Sequence, residues 1–289
     1  MKKLASVSEV TQTLRNNDFR IKKHFGQNFI TDSNIIDEII RSSGVSKNDV
    51  VIEVGPGMGS LTQKLVESTK HVIAVEIDRD LVPILSKNFA DVPNFTLIQG
   101  DILDMDVDQM VQNICPDAIN FYVISNLPYY ITTPILMKFL ETSQHVKKMI
   151  YMMQLEVAER ISSKPNTKDY NALSIAIQYR ANTKILFRVP RTVFIPQPNV
   201  DSAVVSIELK QVIPQRPMNE AFFFRFIHIA FAQRRKTLFN NLRFGLSNIS
   251  EEEIKDALVK ANIAPAARAE SLDIEKFIIL SDLIDKSNI

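Results

Sequence analysis

A doubly wound α/β domain followed by a small all-helical domain is the fold class that the sequence predicts. Its sheet is expected to be mostly parallel, with a reversed strand at the edge. Three observations carry that expectation. Short apolar runs over 50–54, 71–75, 95–98 and 121–124 alternate with stretches of helical spacing. Each run ends in a turn that carries a glycine or a polar side chain. After Pro214-Gln215-Arg216-Pro217 the strand-length runs stop and only helix-length patterns remain. A chain of 289 residues can bury one such core and a smaller second one.

Taken in order, residues 1–24 show little periodicity, and 34–42 place Ile35, Ile36, Ile39 and Ile40 at helical spacing. Val50-Val51-Ile52-Glu53-Val54 reads as a fully buried parallel strand. Gly55-Pro56-Gly57-Met58-Gly59 and a helix over 60–68 follow it. Glycines let a backbone approach a ligand closely, although nicotinamide, flavin and S-adenosylmethionine (SAM) sites all share such a turn. The strand over 71–75 ends in Glu76, where a carboxylate meets ribose hydroxyls. The run over 95–98 leads to Gly100-Asp101, placed to accept a hydrogen bond from a cofactor's adenine amine. The run over 121–124 delivers Asn126-Leu127-Pro128-Tyr129. Four consecutive strand ends bearing polar groups form a crevice at the carboxyl edge of the sheet.

Strand and helix alternate to about 153, with further helices over 154–162 and 172–179. A proline-punctuated loop over 189–198 presents Phe194, and 202–209 alternates as an antiparallel edge strand. Beyond the linker, helices are expected over 222–241, 251–261 and 274–285. The domains are therefore set at 1–212 and 213–289. The cluster Phe222-Phe223-Phe224, Phe226 and Phe231 reads as core of the second domain rather than a stacking platform.

Asn126-Leu127-Pro128-Tyr129 carries the most specific chemistry. An exocyclic aromatic amine is a poor nucleophile because its lone pair is delocalised into the ring. An Asn oxygen and a nearby backbone carbonyl can accept its two N–H bonds, favour a more pyramidal nitrogen and aim the lone pair at a methyl donor. Pro128 fixes φ and stiffens the carbonyl before it, and Tyr129 offers a ring to stack on the base. As an isolated match, the tetrapeptide reads equally as a strand-ending turn.

Beside the cofactor turn and its acids, these residues give the chain a resemblance to the KsgA/RsmA family of small-subunit ribosomal RNA adenine dimethyltransferases. The resemblance extends over nearly the whole chain. Lys23-His24-Phe25-Gly26-Gln27-Asn28-Phe29-Ile30 is similar to the family's opening motif, which implies that Asn28 and Ile30 fold over the cofactor. Glu53-Val54-Gly55-Pro56-Gly57 resembles its glycine loop, and Glu76-Ile77-Asp78 its ribose-binding acid. Asn126 to Tyr129 resembles its catalytic loop, and Phe194-Ile195-Pro196-Gln197-Pro198-Asn199-Val200-Asp201-Ser202 the segment that supplies a second aromatic against the base. Ala232-Gln233-Arg234-Arg235-Lys236-Thr237-Leu238 and Arg268-Ala269-Glu270-Ser271-Leu272 are similar to its C-terminal motifs. Tyr130 and Asn171 stand where the family often has Asn and Gly. The resemblance implies a Rossmann-like, SAM-dependent methyltransferase that modifies two adjacent adenosines in a hairpin loop near the 3′ end of 16S rRNA. It further implies a role in small-subunit biogenesis.

Net charge is only +1, so overall basicity does not announce a nucleic-acid partner. Its distribution is more telling and suggests a one-sided phosphate-binding face, although any one cluster reads equally as a solvated helix face. Residues 184–243 carry ten Lys or Arg against three acids, whereas 251–289 carry five against nine. Arg234, Arg235 and Lys236 are the foremost candidates for RNA contact, as three consecutive cations on a helix, and Lys22 and Lys23 come second. The lone Cys115 excludes an internal disulfide. With four scattered histidines, a metal site is not expected. No signal peptide or membrane-length apolar run is visible, so a cytoplasmic protein is expected, and a monomer is expected separately. Three readings stay open: the small-subunit enzyme, a large-subunit adenine methyltransferase of the macrolide-resistance type, and a non-catalytic ribosome-assembly or transcription factor on the same scaffold. A nicotinamide dehydrogenase is a distant fourth, because no acid/base pair for hydride transfer is evident.

Overall fold

The computed structural model describes residues 26–285 together with Leu4, Ser6, Ser8, Thr11, Gln12, Leu14, Phe19, Ile21 and Lys22. The chain divides into two compact units, Met1–Ala158 with Asn182–Leu209 and Glu159–Ala181 with Lys210–Ile289. The sequence places one boundary near 212. The observed division is discontinuous because Tyr170, Ile175 and Tyr179 bury their side chains in the same cluster as Phe223, Phe226 and Phe277.

In the first unit, β1 (Phe29–Ile30) and α1 (Ser33–Ser43) precede a regular alternation. It runs through β2 (Val50–Val54), α2 (Ser60–Ser68), β3 (His71–Glu76), α3 (Val82–Asn88), β4 (Phe95–Gln99), α4 (Val107–Ile114), β5 (Phe121–Asn126), α5 (Thr132–Thr142) and β6 (Val146–Gln154). After α6 (Leu155–Ile161) and α7 (Ala172–Arg180) come β7 (Ala181–Val189), β8 (Phe194–Ile195) and β9 (Ser202–Leu209). Asp32 caps α1 by accepting from the Asn34 N–H at 2.8 Å, and Gly44 ends it at φ 75°.

The seven-stranded sheet has the order β4-β3-β2-β5-β6-β9-β7. β2 lies parallel between β3 and β5, and all of its residues from Val50 to Val54 are buried, as a strand covered on both faces requires. The strand order reverses direction at β2 and β5, so their carboxyl ends flank a switch-point crevice. β9 runs antiparallel to β6, as the sequence predicts, but it is not the edge. β7 lies outside it, and β9 is buried from Ser202 to Ile207 while β7 alternates with exposed Asn182, Lys184 and Arg188. The sequence reading missed β7 because its four polar residues, Asn182, Thr183, Lys184 and Arg188, weaken the apolar pattern. A separate two-stranded ladder pairs β1 with β8, Phe29 opposite Ile195 and Ile30 opposite Phe194.

In the second unit, α7 is capped by reciprocal bonds between Asn171 and Ser174. Asn171 adopts an extended backbone, so no glycine is needed there. The helix expected over 222–241 is two helices, α8 (Glu220–Ala230) and α9 (Leu238–Gly245). Asn241 Nδ2 donates to the carbonyls of Ala230 (2.7 Å) and Gln233 (3.2 Å), and Thr237 caps α9, which stabilises the intervening turn. α10 (Glu251–Lys260) and α11 (Ile274–Ile284) complete the unit. Among the described residues no helix is long and apolar enough to cross a membrane.

Candidate active site

Ten of the residues selected from sequence line one cleft of about 310 Å³ in the first unit: Asn28, Ile30, Gly55, Gly57, Glu76, Asp101, Asn126, Leu127, Pro128 and Tyr129. The turn after β2 brings the backbone to the cleft floor. Gly55 and Gly57 hold φ of 66° and 61°, a region that side chains resist. A Cβ on Gly57 would stand 3.2 Å from the Phe29 ring, whereas one on Gly55 would meet open space. Gly59 precedes α2 at φ 90°, so that helix opens at the end of the turn.

Two carboxylates sit behind this turn. Glu76, at the end of β3, is 4 % exposed and accepts from the Asp78 N–H at 2.8 Å and the Gly57 N–H at 3.4 Å. Burial pushes its pKa up to about 7 despite those bonds. Glu53, 1 % exposed, accepts from Thr62 Oγ1 at 2.6 Å. Burial, with the Glu76 charge adding to it, raises Glu53 to about 8 against the Thr62 bond. Asp101 follows β4 and accepts from the Leu103 N–H at 2.9 Å.

On the opposite wall, β5 delivers Asn126. Its Nδ2 donates to the Asn28 carbonyl at 3.0 Å, leaving Oδ1 as an acceptor without a described donor. The Leu127 carbonyl likewise accepts no hydrogen bond from a described residue. Thr132 Oγ1, at the start of α5, donates to the Pro128 carbonyl at 3.0 Å and pins the loop. The Tyr129 hydroxyl shares a 2.8 Å bond with Ser202 Oγ. Burial, helped by the Asp201 charge, raises that phenol's pKa although Ser202 opposes it. Two adjacent acceptors, a fixed aromatic ring and a cleft floored by bare backbone can together hold a planar amine beside a bound donor.

Other selected residues lie elsewhere. Phe194, in β8, is 3 % exposed with its side chain in the core, and is not part of the cleft wall. Lys22 is engaged by Asp78 at 2.6 Å and Asp80 at 2.7 Å. Lys23 lies outside the described residues. Arg234, Arg235 and Lys236 are exposed, but on the turn between α8 and α9 and not on a helix. Arg234 donates to the Lys168 carbonyl and lies 4.0 Å from Glu270. Arg235 and Lys236 form no ion pair with a described residue.

The sequence reading gave no site role to Glu53, Gln27, Asp78 or Tyr130. Glu53 was detectable in principle, because a lone carboxylate inside a five-residue β-branched strand is rare without a task. Tyr130 is 56 % exposed at the cleft, and a Cβ on Gly26 would lie 3.3 Å from its ring. Neither that contact nor the bonds of Gln27 and Asp78 leave any periodic trace. Among the described residues no three metal-ligating side chains cluster.

The family model described as Ribosomal RNA adenine dimethylase matches residues 18–286. A relative from Lactococcus lactis subsp. lactis (strain IL1403), Ribosomal RNA small subunit methyltransferase A, is 44 % identical over 282 residues, covering 98 % of this chain and 96 % of its own. A relative of the same name from Clostridioides difficile (strain 630) is 43 % identical over 288 residues, covering 99 % and 98 %. The crystal structure of a dimethyladenosine transferase from Plasmodium falciparum superposes with a TM-score of 0.70 at 24 % identity, over 87 % of this chain and 95 % of that one. That of 23S rRNA methyltransferase ErmE gives 0.67 at 23 %, over 89 % and 100 %. These two likenesses establish the methyltransferase fold. The chain belongs to the ribosomal RNA adenine dimethylase family.

Proposed function

We propose that this family member transfers methyl groups from SAM to N6 of two adjacent adenosines in a hairpin loop near the 3′ end of 16S rRNA, within the small ribosomal subunit. The observation that carries the reading is the meeting of the glycine turn, the strand-end acids and Asn126-Leu127-Pro128-Tyr129 in one cleft. Nearly full-length relatives bearing the small-subunit name favour that RNA over the large-subunit one.

The residues fit the donor. Open space over Gly55 lets a ligand lie against its backbone, with Asn28, Ile30 and Gly57 around it. Glu76 would take the ribose hydroxyls and Asp101 the adenine amine. SAM supplies, when bound, a methyl group on a sulfonium that is already a good leaving group. Asn126 Oδ1 and the Leu127 carbonyl accept the two N–H bonds of the target amine. Its proton leaves to solvent as the C–N bond forms, so no strong base is needed, and Tyr129 remains a phenol at neutral pH. The target base must be unstacked at about a few kcal/mol, and stacking on Tyr129 offsets roughly 1–3 kcal/mol of that. Phe194 stays in the core as a support for β1. Every adenine offers the same edge, so selection must come from phosphate and shape contacts. Arg234, Arg235 and Lys236 are assigned to them, in a cytoplasmic monomer.

The test is to incubate the protein with labelled SAM and undermethylated small and large subunits, and to map the modified bases. Paired N6,N6-dimethyladenosines near the 3′ end of the small-subunit RNA are expected. Label confined to the large subunit, or absent from adenine, overturns the reading.

A further inference from the structure

We propose that Asp78 is a positioning residue for methyl transfer, acting on Asn126 through Gln27 and the Asn28 carbonyl. The inference rests on the role given above to Asn126. Asp78 stands two residues beyond Glu76, is 1 % exposed and does not line the cleft. Its Oδ1 accepts from Lys22 Nζ at 2.6 Å and from the Asp80 N–H at 3.0 Å. Its Oδ2 accepts from Gln27 Nε2 at 2.7 Å. A carboxylate this deeply buried is tolerated only with such a full set of donors.

The other end of the Gln27 amide is also fixed, because Oε1 accepts from the Lys22 N–H at 2.9 Å. One residue on, the Asn28 carbonyl accepts from Asn126 Nδ2 at 3.0 Å. That bond decides which way the Asn126 amide faces. Oxygen and nitrogen of an Asn side chain exchange places by a simple flip, and only the oxygen can accept from a target amine. The Asn28 carbonyl must therefore be held still. On one side β1 does this, through Ile30 opposite Phe194. On the other side the anchor is Gln27 on Asp78. The acid beside the cofactor strand and the amide that meets the base are thereby linked across the cleft.

The test compares Asp78→Asn, Gln27→Glu, the double variant and Asn126→Ala, by single-turnover methylation at saturating SAM and small subunits, with SAM affinity from calorimetry. Misplacement of a reacting group by about 1 Å can cost about a hundredfold, so each single variant of the anchor should slow transfer about 10–50-fold. SAM affinity should change less than about threefold. In the double variant donor and acceptor trade places between positions 78 and 27, and the rate should return to within a few-fold of the parent. Full rate in the single variants, a loss confined to SAM affinity, or a double variant no faster than the slower single one overturns the inference. Should D78N fail to fold, Q27A at a half-buried position carries the same expected slowing. If Asn126→Ala is slow while the anchor variants are not, only this inference falls; if Asn126→Ala is itself at full rate, the role of Asn126 falls with it.

Discussion

The cleft of the first unit and the cationic turn of the second use polar residues in opposite ways. In the cleft the two acids are buried and the polar side chains meet fixed partners, Glu53 the Thr62 hydroxyl, Glu76 the Asp78 and Gly57 N–H groups and Asn126 the Asn28 carbonyl. In the turn, Arg235 and Lys236 stand exposed, and Arg234 alone is tethered, to the Lys168 carbonyl. Away from water an unsatisfied polar atom costs enough to force a single geometry. At the surface solvent satisfies it, and long side chains keep their freedom. The cleft is thus built to act by position and the turn by summed charge. A single substitution should damage the first, whereas the second should respond only to several at once.

The largest effect expected is on stability. Phe194→Ala empties the packed site of a β8 side chain, and should cost about 3–5 kcal/mol by denaturant unfolding. A variant of parental stability with slow transfer would instead put that ring against the base, and would blur the division between core and cleft.

The buried acids give the next effect. Glu53 and Glu76 have folded-state pKa values of about 8 and about 7, above the 4.5 of a solvated Glu. The folded state then holds more protons than the unfolded one through that window, so stability is greatest below about pH 4.5 and falls as pH rises towards 8. The ligand-free protein should lose on the order of a few kcal/mol across that window. Glu53→Gln should flatten the curve. Melting temperatures from pH 5 to 9 that are level, or that rise, in the parent would refute it.

Asn126→Ala removes an acceptor at the reacting amine and should lower turnover by about 10²–10³-fold. SAM and RNA affinities should stay within a few-fold. Tyr129→Phe should keep most activity, since the ring stacks while the hydroxyl merely meets Ser202; an inactive variant would make the phenol part of proton transfer. Glu76→Ala should weaken SAM binding by about 1.5–3 kcal/mol, the worth of a hydrogen bond to a charged group. Calorimetry showing unchanged affinity would remove Glu76 from the donor site.

The smallest effect is on the turn. Neutralising Arg234, Arg235 and Lys236 together should flatten the salt dependence of subunit binding by up to about 0.7 log units per lost phosphate contact. SAM affinity should be untouched. A lowered melting temperature with an unchanged salt slope would make these residues structural, through the bonds of Arg234 to Lys168 and Glu270.

By itself the sequence determined the alternation of β2 to β6 with their helices, and the polar groups at four strand ends. Both are local patterns. A β-branched run buried on both faces, a glycine turn with φ above 60° and an Asn-x-Pro break each follow from neighbours in the chain. Tertiary structure alone decided what depended on distant partners. β9 became an inner strand because β7 packed outside it. The helix expected over 222–241 broke because Asn241 reached back to Ala230 and Gln233. Lys22, a second candidate for RNA contact in the sequence, is bound by Asp78 and Asp80, more than fifty residues away. Phe194, placed against a base by resemblance, packs instead among core residues that include Phe29, Ile30 and Val189. Hydrogen bonds and packing between residues far apart in the chain leave no period in the sequence. They are settled only when burial makes each polar group find a partner, and that same requirement fixes the direction of the Asn126 amide.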